Sequence, residues 1–270
     1  MLVIEANKIQ KNYFKDLCCY RELFYFFAWR DILVRYKQAV FGILWALIRP
    51  LLNMGIFAFL FGKIAHFPSD NIPYPLFVLA GLLPWQLFSN SVNEGCLSLL
   101  NNAQLISKVY FPRMIIPVAQ IIVHFIDFFI SLALLFLLGI LWGTLSWHTL
   151  LALPFFIILT GMLCIGTSLL LSALTMQYRD IRFLVPFFVQ FGLFISPVGY
   201  GSFIIQTSLK WLFFLNPLVG IIDGFRWAFF GISHPDILYT VSFSVLITLG
   251  VLLSGFYFFR KIERTFADKM

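Results

Sequence analysis

The sequence predicts an all-α polytopic membrane protein. It has six transmembrane helices, an N-terminal amphipathic helix at the membrane interface, and a re-entrant helical hairpin between the fifth and sixth spans. Three observations predict this. Hydrophobic residues make up 61% of the 270 positions and charged residues 11%, whereas a soluble domain carries roughly a quarter charged residues. Apolar runs long enough to cross a bilayer recur along the chain. Lysine and arginine concentrate in alternate connections, as the positive-inside rule demands.

The elements follow in order as a single domain over residues 1–270. Residues 1–38 are a polar to amphipathic lead. Its Leu23, Phe24, Phe26 and Phe27 are flanked by Arg21, Glu22, Arg30 and Asp31, which suits a helix lying in the interface. Residues 39–200 hold five spans: Ala39–Lys63, Leu76–Leu100, Met114–Leu141, Leu150–Met176 and Phe183–Tyr200. Pro50 kinks the first and Pro84 interrupts the second. Arg49 stands inside the first span, either facing a polar path or snorkelling to the interface. The second half of span two carries Gln86, Ser89, Asn90, Ser91, Asn93 and Glu94, so it must face protein or water. His124 and Asp127 share a face of span three.

Residues 201–235 are too apolar for a solvated loop and too broken by Asn216-Pro217, Gly220, Gly224 and Gly231 for a full span. Two short helices that enter the membrane and return satisfy both facts, with Asp223 and Arg226 spaced to pair across one turn. Residues 236–270 are the last span, Ile237–Phe259, and a basic tail.

With both ends cytoplasmic, the inner segments hold Lys8, Lys11, Lys15, Arg21, Arg30, Arg35, Lys37, Lys108, Arg113, Arg179, Arg182, Arg260, Lys261, Arg264 and Lys269. Only Lys63, Lys210 and Arg226 fall outside.

Several function classes recede. The net charge of +7 does not point to nucleic acid, because the basic residues are not gathered on a soluble domain. The four cysteines (Cys18, Cys19, Cys96, Cys164) have no metal spacing and no CxxC, so they read as unpaired thiols and no metal site is expected. Residues 1–23 lack the apolar core of a secretory signal, so the first hydrophobic span is expected to remain as an anchor in the membrane. No GxxxxGK[ST], HExxH or GxSxG occurs, so no cofactor is expected on this chain and no catalytic residue is assigned.

Four stretches carry a family resemblance: RDILVRYKQAVFGILWALIRP (Arg30–Pro50), LAGLLPWQLFSNSV (Leu79–Val92), LISKVYFPRMIIPV (Leu105–Val118) and LNPLVGIIDGFRWAFFG (Leu215–Gly231). In this order they resemble the membrane subunits of ABC-2 type polysaccharide exporters, the O-antigen, capsule and teichoic acid group. The resemblance implies a bacterial inner-membrane permease without its own ATP site. It also implies a homodimer of this chain, two copies of a partner ABC ATPase that holds ATP and Mg, and a lipid-linked polysaccharide as cargo.

By position, the resemblance places ATPase coupling on Arg30 of the lead, on Lys108, Tyr110, Phe111 and Arg113 of the loop LISKVYFPR, and on Arg179 and Asp180 of YRDIR. That loop mixes apolar groups with charges, which suits an apolar knob with a charged rim. A sliding glycan offers CH faces to aromatic rings, so Trp45, Trp85, Phe88, Tyr200, Phe203, Trp211 and Trp227 are channel or gate candidates, with Arg49, Asp223 and Arg226 as polar ones. Two other readings stay open: an ABC-2 permease for a small lipophilic substrate, and a membrane enzyme acting on polyprenyl-phosphate sugars. The enzyme would need a carboxylate or histidine cluster, which only Asp127 with His124, or Asp180 beside Arg179 and Arg182, begins to supply.

Overall fold

A computed structural model describes residues 17–37, 42–69, 72–109, 111–204, 210–232 and 235–263. Among them every regular element is helical. The elements are α1 (Arg21–Lys37), α2 (Trp45–Phe57), α3 (Tyr74–Asn101), α4 (Ala103–Lys108), α5 (Ile115–Leu141), α6 (Leu153–Gln177), α7 (Ile181–Ile195), α8 (Lys210–Phe214), α9 (Pro217–Phe230) and α10 (Ile237–Glu263). A wider π-helical turn, Ala58–Ile64, prolongs α2.

Among the described residues five stretches are long and apolar enough to cross a membrane: Trp45–Ile64, Tyr74–Asn101, Ile115–Leu141, Thr149–Gln177 and Ile237–Glu263. The expected fifth span is shorter than the sequence implies. α7 has 15 residues and stops at Ser196, whose extended backbone (φ −85°, ψ 145°) precedes Pro197. A residue before proline is pushed out of helical geometry. The last span, in contrast, runs one turn beyond Phe259. Pro84 does not interrupt α3, which continues unbroken for 28 residues. Pro50 likewise sits inside α2. Tight packing offsets the hydrogen bond each proline removes, since both rings are buried.

α3 is the central post. It packs on α5, α6, α2, α7 and α9, and most of its N-terminal half is fully buried. α6 lies against α10 at a crossing that only small residues allow. A Cβ on Gly166 would stand 2.7 Å from the Cα of Leu252, and Gly255 faces the backbone of Gly166. Backbone cannot step aside, so Gly166→Val forces the two helices apart. We expect a loss of about 1–3 kcal/mol, read as a lower unfolding midpoint in detergent, with Gly250→Val, which meets open space, unaffected.

The two larger apolar cores among the described residues sit at opposite ends. One gathers Phe27, Leu99, Ile106, Phe111, Ile115, Ala173, Met176 and Phe259, so the C-terminal ends of α3, α6 and α10 meet the start of α5 beneath α1. The other gathers the N-terminal half of α3 with α9 and α6, around Leu79, Leu83, Phe156, Ile222, Phe225 and Phe229. Lys108, Arg113, Arg179, Arg182, Arg260 and Lys261 all belong to the first end.

Candidate functional site

At the first end, α1 is seated on the bundle by charge. Its apolar side chains Tyr25, Phe26, Trp29, Leu33 and Val34 point outward, while Phe27 and Ala28 are buried and Arg30, Asp31, Arg35 and Tyr36 are half-buried against the bundle. Arg35 reaches two helices at once: one guanidinium nitrogen donates to Asp127 Oδ2 of α5 at 2.7 Å, the other to Glu94 Oε1 of α3 at 2.5 Å. His124 stands between them. Its Nδ1 accepts from Arg35 at 3.3 Å, and its Nε2 lies 3.1 Å from Glu94 Oε2.

Tyr36 donates its hydroxyl to Asp127. Burial first, and then the Asp127 carboxylate, hold that hydroxyl well above its usual pKa, so it stays a neutral donor. Asp31 accepts from Gln120 at 2.5 Å, and Arg30 donates to Asn102 at 3.2 Å. His124 and Asp127 therefore do not pair with each other; both serve Arg35.

At the other end, α9 is a complete helix built from a short motif. Asn216 caps its start by accepting from Leu218 N at 3.0 Å, and Pro217 occupies the first turn. Gly231 ends it in the left-handed conformation (φ 73°), donating to Trp227 O at 2.8 Å. The terminal carbonyls are taken up by Ser146 N on Phe229 O (2.8 Å) and by the Thr149 hydroxyl on Ala228 O (2.9 Å).

Within α9, Arg226 is almost wholly buried. It donates to Phe77 O (3.3 Å), Tyr200 O (3.0 Å) and Val198 O (2.9 Å), lies over the Phe77 ring at 3.7 Å, and has Asp223 Oδ1 at 4.0 Å. One side chain thus ties α9, the start of α3 and the segment after α7. The expected Asp223–Arg226 pair is present.

The family model for the ABC-2 type transporter matches residues 22–230. The chain belongs to the ABC-2 type transporter family. An O-antigen export system permease protein, RfbA of Klebsiella pneumoniae, is 30% identical over 245 residues, covering 88% of this chain and 91% of the relative. The RfbA of Myxococcus xanthus is 29% identical over 226 residues, 82% and 85% of the two chains. The polysialic acid transport protein KpsM of Escherichia coli is 24% identical over 241 residues, 87% and 91%.

In this ABC-2 protein the sequence-predicted coupling residues divide. Lys108, Arg179 and Asp180 are exposed at the first end, and Val109 is 53% exposed. Phe111 is not on an exposed knob. It is 4% exposed, with its ring 5.8 Å from that of Phe27, because the chain turns inward at Phe111-Pro112 to close the apolar core under α1. Arg113 closes the end of α10, its backbone N–H donating to Glu263 Oε1 at 3.0 Å and its side chain to Glu263 O at 2.9 Å. Tyr110 lies outside the described residues.

The channel and gate candidates fall in separate places. Trp45 and Arg49 share a cleft beside α1, with the guanidinium 5.9 Å from the indole ring. Trp85 is buried in α3 beside Phe88 and against Gly192 of α7. Tyr200, Asp223 and Arg226 gather around the buried guanidinium, whereas Phe203 is half-buried beside Gly201. Trp227 is edge-on to Phe156 at 6.4 Å, and Trp211 on α8 is 66% exposed.

The expected pair of short helices in 201–235 is unequal. α8 has five residues, while α9 has 14 and is packed deep in the bundle. Sequence reasoning left Arg35, Tyr36 and Glu94 out of the site. The available signal was that Glu94, His124 and Asp127 lie in apolar spans and need a cation, and Arg35 is a basic residue of the preceding lead.

Proposed function

We propose that this chain is the membrane subunit of an ATP-driven exporter that moves a lipid-linked, O-antigen-like polysaccharide across the bacterial inner membrane. The observation that carries this reading is the likeness to O-antigen export permeases along 88% of the chain. Two copies of the chain work with two copies of a separate ABC ATPase, and that partner holds ATP and Mg. The KpsM likeness supports a polymer, rather than a small lipophile, as the cargo.

The reading takes α7, lengthened by the buried residues after it, as the sixth crossing, and α9 as a helix that enters from the outer face and returns. The basic residues collected around the end that holds Lys108, Arg179 and Lys261 favour that end as cytoplasmic, with both termini inside. There the exposed Lys108, Arg179 and Asp180 meet the ATPase. α1 carries its motion to α3 and α5 through Arg35, and Arg30 links α1 to the loop through Asn102.

Changing the phosphate-binding lysine of the partner ATPase should leave polymer inside the cell. The measurement is surface glycan by antibody binding to intact cells against total glycan in lysates. Undiminished surface glycan in that variant would remove the reading.

A further inference from the structure

A cleft of about 270 Å³ opens where α2 passes α3 and α5 beside α1. Arg49 lines it from α2, and Gln86 and Asn90 line it from α3, one helical turn apart. Among the described residues Arg49 has no carboxylate within ion-pair distance; its neighbour is the Trp45 ring. The side-chain amides of Gln86 and Asn90 likewise make no hydrogen bond there. The carboxylate nearest to hand, Asp127, is already engaged: one oxygen takes Arg35 and the other takes Tyr36.

The cleft therefore holds a second cation, Arg49, that shares in no ion pair among the described residues, and two amides that make no hydrogen bond there. A charge in that setting is costly unless an anion joins it. A guanidinium fork matches phosphate oxygens, and amide N–H groups complete their coordination. The rest of the wall mixes Arg35, His124, Asp127 and Ser131 with apolar Leu83, Phe128 and Pro50. The outer face of α2 beyond it exposes Leu52, Ile56 and Phe59. A ligand that fits both halves has a phosphate head and a hydrocarbon tail.

We propose that this cleft binds the phosphate head of an amphiphile, with Arg49 as its counter-charge and Gln86 and Asn90 as its hydrogen-bond donors. That the amphiphile is the cargo's own lipid carrier rests on the function proposed above; the alternative source of the same chemistry is bulk anionic phospholipid.

The test uses the complete transporter, this chain with its ATPase partner, in phosphatidylcholine nanodiscs. Sugar-free polyprenyl diphosphate is titrated without nucleotide, and bound lipid is counted by native mass spectrometry. Arg49→Gln should weaken binding about tenfold, Asn90→Leu about threefold, and Arg49→Lys less than Arg49→Gln. Both residues are exposed, so the variants should fold.

Phosphatidylglycerol that fails to compete at equal concentration assigns the site to the lipid carrier. Equal competition supports the site and assigns it to bulk lipid. Affinities of Arg49→Gln and Asn90→Leu both within about twofold of the parent overturn the proposal, as does an Arg49→Gln change that reduces copy number instead of lipid binding. The outcome is independent of the ATPase-lysine experiment: a site that binds while that variant still exports would sink the function and leave the site.

Discussion

Arg226→Met is expected to lower the unfolding midpoint of the purified chain by about 10 °C, the equivalent of roughly 3–5 kcal/mol in a chain of this size. The methionine matches the arginine stem but donates nothing. Three carbonyls, of Phe77, Val198 and Tyr200, lose their donor in a place water does not reach. Asp223, buried one turn away, loses its nearby cation. The charge and the hydrogen bonds can be separated. Adding Asp223→Asn to Arg226→Met recovers the part due to the lost Asp223–Arg226 charge pairing and leaves the part due to the carbonyls. Differential scanning fluorimetry in detergent measures both. A single variant that melts within about 2 °C of the parent would show that α9 is held by its apolar contacts alone.

Arg35→Gln separates export from ATP hydrolysis. Glu94 and Asp127 then face each other across His124 without the Arg35 cation, and α1 keeps its polar ties at Arg30, Asp31 and Tyr36 and its apolar seat at Phe27. The side chain is partly buried, so the stability loss is modest, about 1–2 kcal/mol. Transport should fall further, by about tenfold or more, because a lever that slides on its seat passes on little motion. Arg35→Lys keeps the charge but replaces a two-pronged contact with a single point, and should fall between. The checks are surface glycan in cells and ATPase rate in the reconstituted complex. A parallel loss of both activities, or no loss of export, would count against α1 as the transmitting element.

Much of the architecture was legible in residue order. The long helices follow from apolar run length, while Asn216-Pro217 and Gly231, read as breaks in an apolar segment, turn out to be the start and end caps of α9. The inward charges of α1 were harder to read. Its apolar and charged residues are interleaved, so periodicity does not tell which face meets the bundle. The answer lies in Glu94, His124 and Asp127, which are distant in sequence and demand a cation. Phe111 was misjudged for a related reason: an aromatic in a basic loop fits a docking knob as well as a core plug, and only Phe27, 84 positions earlier, decides between them. Pro84 illustrates the reverse case, where a local breaking signal gives way to packing on the neighbouring helices.

α7 has a consequence for the lipid itself. Fifteen helical residues measure about 22 Å, while an ordinary hydrocarbon layer is about 30 Å thick. Phe183, Phe187, Phe188, Phe191 and Phe194 turn outward along it, and the chain after Ile195 dives back among protein side chains. Where this helix borders the bilayer, acyl chains must shorten their reach or headgroups must sink to meet its ends. If α7 crosses the bilayer as proposed, the membrane is dimpled on that flank, and a polar group crossing there travels a shorter distance through oil than a full hydrocarbon layer demands.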